Sequence, residues 1–291
     1  MIRRYLSGSV TNNVDLRAIL TDGFVRFPNS VESRLCESVL RTAMEDFETE
    51  SKTWQYKLSR IFDIVNTPKN RHSIKLKMSD DVKALLGETL YGDARRESFY
   101  ETLYGANARL VELSLLLTFP GAPAQALHSD ISYQALGSQE SNCNLPGLAS
   151  TFVAIQDVRR EMGPTTILKG THTKEYHATI KIDMESYSVD GTIETISNID
   201  DENVEKKTFS MEELHDAAVL SEKGDVYTMD ARCIHAGGAN ESESPRALVC
   251  FAFQREDEGK QDIVRAPGFT YHIHEDVFQR KYRLADFKLE H

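Results

Sequence analysis

The spacing of apolar residues changes near residue 109. Upstream, in "NSVESRLCESVLRTAMEDFETE" (29–50), Leu35, Val39, Leu40 and Met44 recur near a 3.6-residue period. That spacing predicts an amphipathic helix, with Ser30 as its cap and Glu32 and Glu37 in the early turns. "SDDVKALLGETL" (79–90) predicts a second helix capped by Ser79, and a third is expected over 95–105. "DGFVRF" (22–27) reads as a short strand after a turn. From 109 onward, short runs of Val, Leu, Ile, Phe and Thr alternate with turn residues at 109–119, 150–156, 165–168, 217–220, 225–229 and 246–254. This is strand-and-turn spacing. In "RALVCFAFQ" (246–254) alternate positions are suited to face core and cavity in turn. The pattern predicts a mainly β protein with flanking helices. A jelly-roll core over 109–256 would lie against a mostly helical layer, 1–108, and be followed by a C-terminal extension, 257–291. The acidic, weakly patterned stretch 181–209 is an insertion that reads equally as a lid or as a surface excursion. With no Pro/Gly/Ser linker, internal repeat or low-complexity tract, a single domain over 1–291 is expected.

Composition narrows the function classes. The chain has 291 residues, 40% hydrophobic and 27% charged, an ordinary globular balance. Its formal charge of −11 and the lack of a Lys/Arg block disfavour nucleic-acid and anionic-membrane partners, which are held mainly by positive charge. Cys36, Cys143, Cys233 and Cys250 form no C-x-x-C pair and read as reduced thiols, so a cytoplasmic location is expected. "MIRRYLSGSV" has no apolar h-region behind its basic residues, and "LSLLLTF" (113–119) is too short to span a bilayer.

Two H-x-D motifs compete as metal-ligand candidates. His128-Ser129-Asp130 follows the predicted strand 109–119 through "PGAPAQAL"; at i and i+2 of extended chain the two side chains point the same way. A third ligand must come from elsewhere, and His235 is available in "KGDVYTMDARCIHAGGANESESPRALVCFAF" (223–253). Arg246 opens the next apolar run, and a hairpin of that length can return it beside His235. Two imidazoles and one carboxylate on one metal face are the ligand set of non-haem Fe(II) oxygenases, which keep positions open for co-substrate and O2. A buried Arg beside them suits a carboxylate, because its planar fork binds one bidentately. The rival, "YHIHED", sets His272, His274 and Asp276 on one side of an extended segment, where zinc or another divalent ion would bind, with only His291 downstream to complete the set.

"GAPAQALHSD", "MGPTTILKGTHT" and "GDVYTMDARCIHAGGANESESPR", in that order behind "DGFVRF" and a helix, resemble the signature regions of the phytanoyl-CoA dioxygenase-like branch of the Fe(II)/2-oxoglutarate-dependent oxygenases. The resemblance covers most of the chain and implies a double-stranded β-helix, cupin-like core. It implies His128, Asp130 and His235 as iron ligands and Arg246 as the partner of the distal carboxylate of 2-oxoglutarate. Gln125 and Thr165 stand where relatives contact the co-substrate, and Arg71, in "TPKNRHSIK", is a further candidate contact. Tyr133, Tyr227 and Arg232 are candidates to line the substrate pocket, and Gly237 and Gly238 suit a backbone turn after the ligand. The family's usual P-G-S-H turn is Lys169-Gly170-Thr171-His172, so His172 reads as structural. The presence of Asp130 disfavours halogenation, and Ala252 stands where nucleic-acid-dealkylating relatives carry a second Arg.

The implied cofactors are Fe(II) and 2-oxoglutarate, with O2 as co-substrate. The implied reaction is oxidation of an unactivated C–H bond in a small molecule of specialised metabolism, by hydroxylation, desaturation or a ring closure of the kainoid-synthase kind. The alternative is a metal-retaining barrel that modifies a protein partner or acts as a non-enzymatic sensor.

Overall fold

The computed structural model describes residues 13–50, 70–131, 145–146, 148–179, 209–255 and 273–289. Helix α1 (Val14–Thr21) leads into strand β1 (Phe24–Phe27) and helix α2 (Ser33–Glu50). Strand β2 (Arg71–Lys75), helices α3 (Asp80–Tyr91) and α4 (Ala94–Tyr104), and the long strand β3 (Arg109–Thr118) follow. The remaining strands are β4 (Leu148–Ala154), β5 (Thr165–Leu168), β6 (Val226–Asp230), β7 (Ile234–Gly237) and β8 (Arg246–Gln254). Short helices α5 (Lys174–Thr179) and α6 (Met211–Asp216) precede β6, and α7 (Glu275–Arg280) follows β8.

A six-stranded antiparallel sheet runs β1-β6-β4-β8-β3-β2, and a smaller sheet pairs β5 with β7. Side chains from both meet in one buried cluster: Phe152, Tyr227, Met229 and Cys250 from the large sheet, Ile167 from the small one. This is a jelly roll with a large and a small wall. The period-2 reading of β8 is realised. Ala247, Val249, Phe251 and Phe253 pack outward among α1–α4, whereas Leu248, Cys250 and Ala252 belong to separate clusters on the inner face. The helical layer thus covers the outer face of the large sheet, and Ile273, Val277, Leu284 and Phe287 of the C-terminal stretch join it.

Ser79 caps α3 by accepting a hydrogen bond from the Val82 amide at 3.2 Å. Ser79→Ala is expected to remove about 1 kcal/mol of stability, a fall in Tm of roughly 2–4 °C for a chain of this size, read by thermal denaturation. Ser30 does not cap α2. The helix starts at Ser33, because the Ser30 and Val31 amides both donate to the Gly224 carbonyl and hold that stretch as a turn. The run 217–220 is not a strand either: Ala218 and Ser221 make only isolated bridges, squeezed between the end of α6 and the turn at Gly224. Strand β2 has no clear period in sequence; its pairing with β3 fixes it. Residues 181–208 of the expected insertion lie outside the described residues. Among the described residues no helix is long and apolar enough to cross a membrane.

Candidate metal centre

The residues that could hold a metal come from two neighbouring segments. Residues 122–130 run as irregular chain along the small sheet, where His128 forms a two-way backbone bridge with His235 of β7: each amide donates to the other's carbonyl, at 2.9 and 2.8 Å. This registration brings the two rings together in a tilted contact, with centroids 4.4 Å apart and planes at 49°. The Asp130 carboxylate closes the group, with Oδ1 3.9 Å from His128 Nε2 and 3.5 Å from His235 Nε2. One ligand atom from each of the three lies within 4.8 Å of the others, and among the described residues this is the one such group of three.

The hydrogen bonds around the rings suit metal binding. His128 Nδ1 lies 2.8 Å from the Ala126 carbonyl and His235 Nδ1 lies 3.0 Å from the Cys233 carbonyl. A ring nitrogen facing a carbonyl carries the proton, so both Nε2 lone pairs face the centre. Burial, then the neighbouring His235, holds His128 below the ordinary imidazole pKa and favours the neutral, ligating form. The His128 and Asp130 side chains remain 30% and 37% exposed, so the group is open on one side. Three N/O ligands with an open face fit a divalent ion that keeps exchangeable positions; a closed structural zinc site would need a fourth.

Beside this group lies a buried cationic pair. Arg246, 3% exposed, donates from Nη1 to the Gly163 carbonyl and from Nη2 to Thr118 Oγ1 at 3.1 Å. Arg71, 7% exposed, donates to the same Thr118 hydroxyl at 3.1 Å and to the carbonyls of Pro123 and Gly238 at 3.0 and 2.8 Å. Among the described residues neither guanidinium has a carboxylate within ion-pairing distance, and both Nε atoms are buried without a partner. Burial pulls Arg71 down to about 9, helped by Arg246, and pulls Arg246 down to about 10. Two buried cations sharing one hydroxyl are costly unless an anion joins them. A dicarboxylate such as 2-oxoglutarate fits that need.

The other sequence candidates fall in distinct places. Gln125 clamps β7: its amide donates to the Gly237 carbonyl at 2.8 Å, and its Oε1 accepts from the Gly237 amide at 2.9 Å. Thr165 Oγ1 accepts from the buried Tyr227 hydroxyl at 3.1 Å. Arg232 lies against Asp230 in a two-point ion pair at 2.9 and 2.5 Å. His172 is buried with Nε2 3.2 Å from the Leu20 carbonyl. Tyr133 and Cys143 lie outside the described residues. In the rival motif, His274 accepts from the Asp276 amide as the cap of α7, Asp276 is 73% exposed, and His272 and His291 lie outside the described residues.

Sequence reasoning missed Thr118, although its inward parity with Ser114 and Leu116 was a usable signal. It also missed the space at Gly237. A Cβ there would sit 2.5 Å from Arg71 Nη1 and 2.7 Å from Gln125 Oε1. Gly237→Ala is therefore expected to push both side chains away two residues beyond His235. The expected loss is about 1–3 kcal/mol of stability, together with weaker metal binding, measured by melting and by metal titration.

Comparison with known proteins agrees with this architecture. The family described as phytanoyl-CoA dioxygenase (PhyH) matches residues 19–248. Comparison with curated sequences finds no match. Among solved structures, the 2-oxoglutarate-dependent carbocyclase SnoK from nogalamycin biosynthesis is similar at 17% identity and a TM-score of 0.55, covering 98% of this chain and 94% of its own. The epimerase SnoN, in complex with Fe3+, α-ketoglutarate and nogalamycin RO, is similar at 17% identity and a TM-score of 0.54, covering 86% of this chain and 91% of its own. HygX from Streptomyces hygroscopicus, with nickel, 2-oxoglutarate and hygromycin B bound, gives 17% identity and a TM-score of 0.50, covering 94% and 98%. At that identity the likeness is one of fold, and the family match spans most of the chain. The chain belongs to the phytanoyl-CoA dioxygenase family of Fe(II)/2-oxoglutarate-dependent enzymes.

Proposed function

We propose that this chain oxidises an unactivated C–H bond of a small-molecule substrate in specialised metabolism, with His128, Asp130 and His235 holding Fe(II) and Arg246 anchoring 2-oxoglutarate. One observation carries the reading: an open two-imidazole, one-carboxylate group lies in the same small barrel as a buried guanidinium with no carboxylate of its own. Of the solved structures named above, SnoK comes from nogalamycin biosynthesis, SnoN holds nogalamycin RO and HygX holds hygromycin B, which supports a small-molecule substrate. When bound, iron and 2-oxoglutarate supply the oxidising power through O2-dependent decarboxylation of the keto acid to succinate and CO2.

The chain's own residues supply position. The Nδ1 hydrogen bonds to Ala126 and Cys233 fix the two rings. Thr118 aims the forks of Arg246 and Arg71 toward each other, so that Arg246 meets a carboxylate in a bidentate fork while Arg71 adds a second positive charge. Tyr227 holds the Thr165 hydroxyl, which would reach the same carboxylate. Gln125 ties the segment carrying His128 to the strand carrying His235 and keeps the ligand spacing.

The test is O2 uptake and succinate formation by the Fe(II)-loaded protein across a small-molecule library. Substrate-stimulated turnover is expected, and mass spectrometry of the product separates oxygen insertion from loss of two hydrogens. A protein that neither takes up Fe(II) nor consumes 2-oxoglutarate sinks the reading.

A further inference from the structure

The barrel interior is electrically asymmetric along β3 and β8. Across this ladder the inward residues pair as Thr118 with Arg246, Leu116 with Leu248, Ser114 with Cys250, and Glu112 with Ala252. At about 3.3 Å per residue, Glu112 stands roughly 20 Å along the wall from the Arg246 end. The ligand segment joins the two ends. Gln125 is clamped to Gly237, within reach of Arg71, whereas Ile131 packs with Val111, Leu148, Ala231 and Ala252 beside Glu112. Glu112 therefore lies past Asp130, at the end of the barrel away from the guanidinium pair.

Glu112 is poorly matched to its surroundings as they stand. Its carboxylate accepts from the Ser114 hydroxyl at 3.3 Å and from the Cys250 thiol, and no cation pairs with it among the described residues. Burial pushes Glu112 up to about 7. The side chain keeps partial solvent access, beside the fully buried Ala252 that faces it across the ladder. A carboxylate in a low-dielectric wall is stabilised by an incoming cation and repels an anion. The formal charge of −11 attracts cations to the surface as well.

We infer that Glu112 is a specificity-determining residue for the primary substrate, and that this substrate carries a protonated amine whose N–H donates to the Glu112 carboxylate. The inference deepens the Fe(II)/2-oxoglutarate reading and rests on it for the location of the substrate.

The test uses primary amines as probes (cyclohexylamine, phenethylamine and 2-deoxystreptamine), each beside its N-acetyl derivative. Binding is measured by calorimetry on the protein loaded with Ni(II) and 2-oxoglutarate, and again on the metal-free protein. The wild type is expected to bind at least one amine tenfold or more tightly than its acetylated form. Glu112→Gln removes that preference. Glu112→Asp retains it, and circular dichroism and Ni(II) affinity matching the wild type guard against a folding defect in either variant. A preference that survives in Glu112→Gln, or a wild type that does not favour the amines, overturns the inference. Because the metal-free arm needs neither iron nor keto acid, a failure of Ni(II) or 2-oxoglutarate to bind counts against the proposed function and is read separately.

Discussion

His235→Ala is expected to abolish Fe(II) binding while leaving the jelly roll folded. In the proposed site His235 would supply one of three ligand atoms, and its removal would leave one imidazole and one carboxylate, too few to hold the ion against water. Loss of a group that merely supports a ligand lowers affinity about 10–100-fold, so loss of a ligand itself should exceed about 100-fold. The structural loss is small. The ring gives up one hydrogen bond, Nδ1 to the Cys233 carbonyl, worth about 1 kcal/mol. The β5–β7 ladder is made by backbone and survives. Anaerobic Fe(II) titration with circular dichroism checks both parts, and normal turnover by the variant would refute the assignment of His235.

Arg246→Lys is expected to weaken 2-oxoglutarate binding by tenfold or more, equivalent to at least about 1.4 kcal/mol. A point charge replaces a planar fork, so the bidentate contact is lost. The Gly163 carbonyl and the Thr118 hydroxyl, both served by the guanidinium, cannot both be reached by one ammonium. Burial already pulls Arg246 down to about 10. Lysine starts from a lower intrinsic pKa and is driven further toward its neutral form by the same burial. Fe(II) affinity should be unchanged, because position 246 supplies no ligand atom. Calorimetry with 2-oxoglutarate reads the effect, and unchanged affinity would count against Arg246 as the anchor.

Local periodicity determined which elements form and which way their side chains face. The apolar period of 29–50 and the Ser79 cap gave helices whose bodies the structure reproduces, and the apolar run 246–254, read as extended chain, presents alternate residues to an outer face against the helices and to an inner one. The candidate set His128, Asp130 and His235 was likewise legible from residue type and spacing, and the structure brings the three together. Only the tertiary structure decided who meets whom. Arg71 reaches Arg246 because β2 and β8 flank β3 and both place their arginine opposite Thr118. Gly237 is empty space for two side chains from distant segments, and Glu112 lies at the end of the barrel opposite the guanidinium pair. These facts depend on strand registers between residues far apart in sequence. A period of two residues fixes the face of a strand but carries no information about its neighbour or its register.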